Sequence, residues 1–316
     1  AIAFVSQYLY LISLVIAQAF IFLLLHYYTL LTESAYVDVL LYSGIFVVNV
    51  AIPNFNGKSY LEKLIPKLLT QGFDHIYVLD DASTDGSYEW LKIQPDINTI
   101  KGNENLGPTG NRNRILPLLK DGVILFLDAD MELISDDIAN KVKQHFTTFP
   151  NMAVLGALIY SDKDEPMWYN WGYENSPKQD GVAQALNAIA LKHFHNESVM
   201  ETIREAAKGW IGHFESIEDK EVDWVVEQFF AVRADIFQKM HGFDVNFRRY
   251  HEGPDYCKRV KTEGYEVHFV TDIELKHLDM NSGNGTKRTE ALRNSTRYWY
   301  KKHYNVPDEI IERFFL

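Results

Sequence analysis

Residues 123–130 read VILFLDAD, an uncharged apolar run that ends in two carboxylates separated by one alanine. Such a run is typical of a strand that is buried on both faces of a sheet. Because side chains alternate along a strand, Asp128 and Asp130 are predicted to point the same way from its carboxyl end. Ligands of open α/β sheets bind at that end, and two carboxylates there suit Mg²⁺ or Mn²⁺ holding a substrate phosphate. The alternative interpretation is that the two aspartates only end the strand and cap the next helix.

Strand and helix patterns alternate on both sides of this run. Upstream, a helix is predicted after Ser59, with Glu62 completing a capping box and Gly72 ending the helix. The other predicted upstream elements are strands at 47–52, 76–79 and 97–101 and helices at 87–92 and 109–120. Downstream, a strand is predicted at 153–159, and 227–270 reads as strand, helix, loop, helix and strand. This alternation predicts an α/β fold with a parallel sheet and right-handed crossovers.

Three further polar segments are predicted to face the same crevice as Asp128, because each leaves a strand or precedes a helix. Carboxylates can pair with base and ribose donors, and exposed backbone amides favour phosphate. The sequence therefore predicts a nucleotide-diphosphate site. Single members also have simpler explanations: Asp85 with Gly86 is an ordinary turn signal, and Asn111 and Asn113 could cap a helix. The candidate residues are Pro53, Asn54, Asn56, Asp80, Asp81, Asp85, Asn105, Gly107, Asn111, Asn113 and Asp128.

Taken in order, these motifs resemble those of the family-2 glycosyltransferases, inverting enzymes of the GT-A fold that use nucleotide sugars. The resemblance rests on NFNG at 54–57, DDASTDG at 80–86, NLGPTGNRN at 105–113 and DAD at 128–130, and it resumes in VDW at 222–224, FAVR at 230–233 and GFD at 242–244. It implies a Rossmann-like, mostly parallel sheet flanked by helices. It also implies that Asp80, Asp81 and Asp85 lie near the nucleoside, and that Asp128 and Asp130 ligate Mn²⁺ or Mg²⁺.

The same resemblance implies a catalytic base in an E-D motif, where this chain departs from the family. The segment at 252–259 reads EGPDYCKR, so Glu252 matches the first acid and Gly253 stands in place of the usual aspartate. A base must come within hydrogen-bond distance of the acceptor hydroxyl. Three possibilities remain: Glu252 is the base, Asp255 is the base from the following turn, or the chain has none. Glu252 is the favoured candidate.

His277 follows the last predicted strand and resembles a position that completes the metal site in some relatives. A surface histidine with its hydrogen bonds satisfied is the alternative. The function implied is metal-dependent transfer of a hexosyl or deoxyhexosyl group from a nucleotide-diphosphate sugar to an acceptor hydroxyl, with inversion. Because of Gly253, a second hypothesis is a catalytically inactive GT-A domain that serves as a structural subunit of a membrane assembly. The sequence contains neither the dinucleotide-binding fingerprint after its first strand nor a P-loop, which argues against other nucleotide enzymes.

The charge balance excludes one class of partner. The 316 residues include 31 Lys and Arg against 43 Asp and Glu, a formal net charge of −12. A nucleic-acid partner would require a basic surface, so none is expected. A diphosphate substrate in this negative field would need a metal ion to offset its charge.

The amino terminus has a different composition from the rest. Residues 1–32 contain no Asp, Glu, Lys or Arg, and an apolar segment of this kind exceeds the about 20 residues that a transmembrane helix needs. We therefore predict a membrane-embedded helix at 1–32, with a buried helix as the alternative, and an apolar linker at 33–46. A nucleotide-sugar-binding half is predicted at 47–150. An acceptor-binding half follows at 151–316, with an insertion at about 161–221.

The predicted partners follow from this organisation. The protein is expected at a membrane through residues 1–32, with its catalytic domain facing the cytoplasm. The acceptor would be a glycan, a lipid-linked molecule or a protein, and a membrane-protein partner is possible.

Overall fold

The structure is a computed structural model that describes residues 46–167, 169–174, 176–177, 192, 196–207, 216–278 and 285–314. The chain divides between Phe46 and Val47, and the second unit carries the fold described below. The predicted membrane helix at 1–32 and nearly all of the apolar linker lie outside the described residues. Within the described ranges, no helix combines the length and the apolar character needed to cross a membrane. The two predicted halves and the insertion stay predictions.

The first part of the fold is a regular alternation of strands and helices. Its strands end at the polar segments singled out in the sequence. The elements are β1 (Val48–Asn54), α1 (Lys58–Leu68), β2 (Ile76–Asp80), α2 (Ser87–Leu91), β3 (Ile97–Lys101), α3 (Gly107–Arg112), a 3₁₀ helix (Asn113–Leu118) and β4 (Val123–Leu127).

The second part contains both the shortest and the longest strands, and the longest helix, that the structure describes. Its elements are β5 (Met131–Leu133), α4 (Ile138–Thr148), β6 (Met152–Tyr160), β7 (Trp171–Gly172), α5 (Glu197–Ala207), β8 (Lys220–Glu221), β9 (Trp224–Val225), β10 (Phe229–Arg233), α6 (Ala234–Lys239), α7 (Glu252–Thr262), β11 (Glu266–His277), α8 (Gly285–Tyr304) and α9 (Asp308–Phe314).

The main sheet is mixed, which corrects the prediction of a mostly parallel one. Its order is β3-β2-β1-β4-β10-β6-β11-β5, with β8 also paired to β11. The pairs along β3-β2-β1-β4 are parallel, as is β6 with β11. Strand β10 runs antiparallel to both β4 and β6, and β5 and β8 run antiparallel to β11. Strand β10 enters between two strands of the opposite direction, a topology that local sequence patterns do not encode.

An aromatic cluster beside β4 fixes the position of α7, which carries Glu252. Phe237 of α6 lies 5.2 Å from Phe126 of β4 and 5.1 Å from Phe243, measured between ring centroids. Phe243 in turn lies 5.5 Å from Tyr256 of α7. Tilted and edge-on pairs of this kind each contribute about 0.5–1.5 kcal/mol beyond the area they bury. The core of the domain therefore holds the amino end of α7 in place.

Two local predictions were wrong for identifiable reasons. Helix α1 begins at Lys58 with Gly57 as its N-cap, and the side chain that satisfies the amide of Gly57 is Asn54 rather than Ser59. The helix predicted at 109–120 ends at Arg112 and continues as a 3₁₀ helix. There the side chain of Asn113 exchanges hydrogen bonds with the backbone of Phe243, a contact 130 residues away in sequence.

Candidate active site

A cleft of about 1080 Å³ opens where β1 and β4 end. Most of the candidate residues meet there, although they come from segments up to 224 positions apart. Those that do not line this cleft are Asp80, Asp85, Asn113 and Asp255. Those that do are Pro53, Asn54, Asn56, Asp81, Asn105, Gly107, Asn111, Asp128, Asp130, Glu252 and His277.

Asp80 and Asp85 brace the loops beside the cleft. Asp80 is fully buried and accepts hydrogen bonds from Nδ2 of Asn54 (3.0 Å) and from the amide of Ser83 (3.1 Å). Asp85 accepts hydrogen bonds from the amide of Lys58 (3.0 Å) and from the amide and hydroxyl of Ser87. Burial raises the pKa of Asp85, but these hydrogen bonds outweigh it and leave the pKa below the ordinary value. The two carboxylates thus join β1 and α1 to the loop after β2.

Asp81 orders the loop that precedes α3. Its Oδ1 and Oδ2 accept hydrogen bonds from the amides of Leu106 and Gly107, each at 2.9 Å, and Oδ1 also accepts one from Arg114 (3.1 Å). Gly107 has a φ of +77°, which residues with a side chain rarely adopt. A Cβ at this position would lie 3.0 Å from Cγ of Arg248. The loop that borders the cleft therefore depends on one carboxylate and one glycine.

We expect Gly107→Ala to destabilise the domain by about 2–3 kcal/mol, because it adds crowding against Arg248 to the cost of a positive φ. The matched control is Gly264→Ala. Gly264 has a φ of +88° but open space around the position of its Cβ, so this change should cost only about 1 kcal/mol. Urea unfolding of both variants measures the difference. Equal losses would mean that Arg248 moves aside freely.

Arg112 joins two carboxylates at the floor of the cleft. Its Nη2 donates to Oδ1 of Asp128 (2.8 Å) and its Nη1 donates to Oε1 of Glu252 (2.9 Å). The side chains of Arg112 and Glu252 are 3% and 4% exposed, whereas that of Asp128 is 27% exposed. Burial raises the pKa of Asp128 and of Glu252, and the charge of Arg112 only partly offsets this effect. One arginine therefore couples the end of β4 to the start of α7.

Asp130 lies beside His277. The Nε2 atom of His277 is 3.2 Å from Oδ2 of Asp130, and both residues line the cleft with Asp128. The Oδ2 atom of Asp128 and the Oδ1 atom of Asp130 accept no hydrogen bond from the described residues. In the described ranges, no three His, Cys, Asp or Glu side chains are already grouped closely enough to enclose an ion. The donor set itself, two carboxylates and an imidazole, fits Mn²⁺ or Mg²⁺.

The family profile described as Glycosyl transferase family 2 matches residues 49–216, which is more than half of the chain. The chain belongs to this family. The prediction drawn from its motifs is thereby confirmed.

Bacterial glycosyltransferases are similar to part of the chain. The putative teichuronic acid biosynthesis glycosyltransferase TuaG of Bacillus subtilis is 29% identical over 103 residues, covering 31% of this chain and 41% of TuaG. The UDP-Glc:alpha-D-GlcNAc-diphosphoundecaprenol beta-1,3-glucosyltransferase WfaP of Escherichia coli is 29% identical over 122 residues, covering 37% of this chain and 48% of WfaP. The matched region thus spans less than half the length of either relative.

A solved structure has the same fold. The mannosyltransferase PcManGT from Pyrobaculum calidifontis, in complex with GDP-Man and Mn²⁺, superposes with a TM-score of 0.51 at 16% identity, covering 81% of this chain and 63% of that one. At this identity the likeness concerns the fold alone. It supports the predicted GT-A architecture, with the mixed sheet described above.

In place of the E-D motif of family 2, this chain has Glu252 followed by Gly253. The structure distinguishes the two remaining base candidates, Glu252 and Asp255. Asp255, a candidate base, is fully buried, and its two carboxylate oxygens are taken by Arg259, Lys302 and His303. Burial raises the pKa of Asp255, yet hydrogen bonds from His303 and Lys302 hold it below the ordinary value. Because Asp255 does not line the cleft, its surroundings correspond to a brace between α7 and α8. Of the two base candidates, Glu252 is the one on the cleft.

Several cleft residues were missed by the sequence analysis. Arg112 gave no local signal, because its partners are 16 and 140 residues away. Glu227 and Gln228 did give one: they are two polar residues that interrupt the apolar run from Val225 to Val232, immediately before a strand buried in the sheet. Polar residues that follow a strand were singled out as candidates, whereas this pair precedes one and was therefore missed.

Proposed function

We propose that this chain transfers a sugar from a nucleotide-diphosphate sugar to an acceptor hydroxyl, with a divalent metal and with inversion at the anomeric carbon. The observation that carries the proposal is the convergence of Asp128, Asp130 and His277 with the Asp81-ordered loop on one cleft. In this proposal, amides and carboxylates that would bind a nucleoside and residues that would hold a metal on its phosphates share one space.

Asp128, Asp130 and His277 would hold Mn²⁺ or Mg²⁺. When bound, the ion supplies Lewis-acid stabilisation of the leaving nucleoside diphosphate. A site of this kind is commonly completed by substrate phosphates rather than by protein side chains alone. That accords with the open arrangement of the three residues.

The protein groups around the cleft would position the acceptor and accept its proton. The acceptor oxygen bonds to the anomeric carbon, the bond from that carbon to the phosphate oxygen breaks, and the electron pair leaves with the diphosphate. Glu252 and Glu227 are carboxylates of the cleft that could take the hydroxyl proton. Their presence also weighs against an inactive structural subunit, because the loss of the aspartate at position 253 does not leave the cleft without a base.

We propose a lipid-linked glycan as the acceptor class. Support comes from WfaP, whose name gives a diphosphoundecaprenol-linked GlcNAc as its acceptor. An acceptor in the membrane suits the proposed membrane helix at 1–32 and a catalytic domain on the cytoplasmic side. The same proposal includes glycans and proteins as further partners.

The test uses the full chain in lipid nanodiscs. UDP, GDP and dTDP are titrated calorimetrically with and without Mn²⁺. Sugar nucleotides of the bound base are then incubated with GlcNAc-diphosphoundecaprenol, and the anomeric configuration of the product is determined by NMR. Metal-dependent binding of one nucleotide and an inverted product are the expected results. A chain that binds none of the three nucleotides would overturn the enzyme proposal in favour of the structural subunit.

A further inference from the structure

Glu227 lies just before β10 and lines the cleft between Asp128 and α7. Its side chain is half-buried and lines the cleft. Its Oε1 accepts a hydrogen bond from the amide of Gly253 at 2.8 Å. The backbone carbonyl of the adjacent residue, Gln228, accepts a hydrogen bond from the amide of Asp128, with an N···O distance of 3.1 Å. Glu227 is therefore anchored beside both halves of the candidate site.

The carboxyl group of Glu227 occupies the space that a side chain at position 253 would take. A Cβ built on Gly253 would lie 2.7 Å from both Cγ and Oε1 of Glu227 and 2.8 Å from its Cδ. Real Cβ atoms do not approach other atoms so closely, so a side chain at 253 and the present position of Glu227 exclude each other. Gly253 and Glu227 thus form a matched pair: the carboxylate absent from position 253 is supplied by the residue that lies just before β10.

The three carboxyl groups nearest this point differ in their availability. Asp128 and Glu252 each hold Arg112, and Glu252 is 3% exposed. The second oxygen of Glu252 has no hydrogen-bond partner among the described residues, so the cleft floor still has room for a polar group of a ligand. Glu227 is more exposed than Glu252 and forms no ion pair among the described residues. It is the carboxylate best placed to exchange a proton with a bound hydroxyl.

The electrostatic surroundings agree with that assignment. Burial first, and then the charge of Glu252, raise the pKa of Glu227 to about 8, although Arg112 and the amide of Gly253 oppose the shift. Besides Glu252 and Arg112, the titratable group that interacts electrostatically with Glu227 is the buried thiol of Cys257 on α7. A base is most effective when its pKa is close to the working pH.

We infer that Glu227 is the catalytic base of the sugar transfer proposed above, on which this inference rests, and that Glu252 is a positioning residue that orients Arg112. The acceptor O–H proton passes to a carboxylate oxygen of Glu227 as the acceptor oxygen bonds to the anomeric carbon. The nucleoside diphosphate leaves with the electron pair of the broken bond, and Glu227 later releases the proton to water.

The test compares Glu227→Gln with the double variant Glu227→Gly, Gly253→Asp in the full chain, using the donor and the GlcNAc-diphosphoundecaprenol acceptor identified for the wild type. Glutamine keeps the shape and the hydrogen-bond acceptor but cannot take the proton. We expect kcat to fall about 100-fold or more in Glu227→Gln, with donor Kd within about twofold. The double variant moves the carboxylate back to position 253 and should recover at least a tenth of the wild-type kcat. The control is Glu221→Gln, an exposed carboxylate of β8, which should leave kcat unchanged.

A pH measurement separates a base from a structural residue. The wild-type kcat should rise with pH to a plateau above about 8, and the residual activity of Glu227→Gln should lack that limb. A stability measurement needs no turnover. Because the folded pKa lies above the ordinary value of 4.5, the wild type should lose stability relative to Glu227→Gln as the pH rises from 5 to 8.

The outcomes are distinguishable from a failure of the proposed function. If the wild type binds no nucleotide, the transferase proposal and this inference fall together, and binding alone reveals it. If the wild type transfers sugar while Glu227→Gln keeps kcat within threefold, the inference is overturned and transferase activity stands. A loss of donor affinity equal to the loss of kcat would also overturn it, because the residue would then act in binding.

Discussion

Arg112→Met is expected to lower the free energy of unfolding by about 3–5 kcal/mol, one of the largest effects available in this domain. Methionine replaces only the aliphatic part of arginine and carries no charge, so the change leaves Asp128 and Glu252 without their common partner. Because the side chain of Glu252 is only 4% exposed, water cannot replace the ion pair that it loses. Urea unfolding followed by circular dichroism measures the loss.

The matched control is Lys239→Met, which removes a cation from an ion pair with Glu263 at the surface. The side chains of Lys239 and Glu263 are 55% and 46% exposed, and pairs of this kind contribute little. The unfolding midpoint of this control should not move measurably. A similarly small effect for Arg112→Met would mean that the Asp128–Arg112–Glu252 bridge is replaced by solvent at little cost.

Arg112 also shows why part of the site escaped prediction. Strands with continuous apolar runs were predicted well: the run that begins at Val123 forms the fully buried β4, and the predicted bounds of β2 miss only Asp80. Their burial comes from nearest-neighbour patterns, which a sequence displays directly. The partners of Arg112 lie on β4 and α7, and only the tertiary fold brings them together.

The same distinction separates the motif residues that reach the cleft from those that do not. Asp81 and Asp128 end strands at the carboxyl edge of the sheet, as their positions predict. Asp80 belongs to the same motif as Asp81, but alternation along β2 turns its side chain towards Asn54 and Ser83. The side chain of Asn113 forms its hydrogen bonds with the backbone of Phe243 and does not line the cleft. A motif therefore locates a site, while the hydrogen-bond partners of each side chain decide which members can reach a ligand.

The antiparallel strand β10 illustrates a further limit. Its apolar run predicts a buried strand, and one is present at Phe229–Arg233. Nothing in the run indicates its direction, which depends on the order in which strands join the sheet. That direction brings Glu227, just before the strand, to the end of β4, since Phe229 pairs with Leu127. The order and direction of the strands therefore bring Glu227, a candidate base, into the cleft of a chain whose E-D motif lacks its aspartate.

Asp130→Ala is expected to abolish the Mn²⁺ dependence of nucleoside diphosphate binding and to weaken binding in Mn²⁺ about 100-fold or more. Asp130 lies in the cleft beside His277, and removing one of the two proposed carboxylate ligands would leave an incomplete set for a hard divalent ion. Residues that only hydrogen-bond to metal ligands already contribute about 10–100-fold to metal affinity, so the loss of a direct ligand should exceed that range. Calorimetric titration with and without Mn²⁺ provides both affinities.

The control for this variant is Glu132→Gln, an exposed carboxylate on β5 two residues further along. It removes the same charge from the same segment of chain without lining the cleft, so its Mn²⁺-dependent affinity should equal that of the wild type. The comparison isolates ligation from the general field of a chain with a net charge of −12. If both variants weaken binding equally, the effect comes from that field. If Asp130→Ala binds as the wild type does, the metal is held elsewhere and the assignment to Asp128, Asp130 and His277 is wrong.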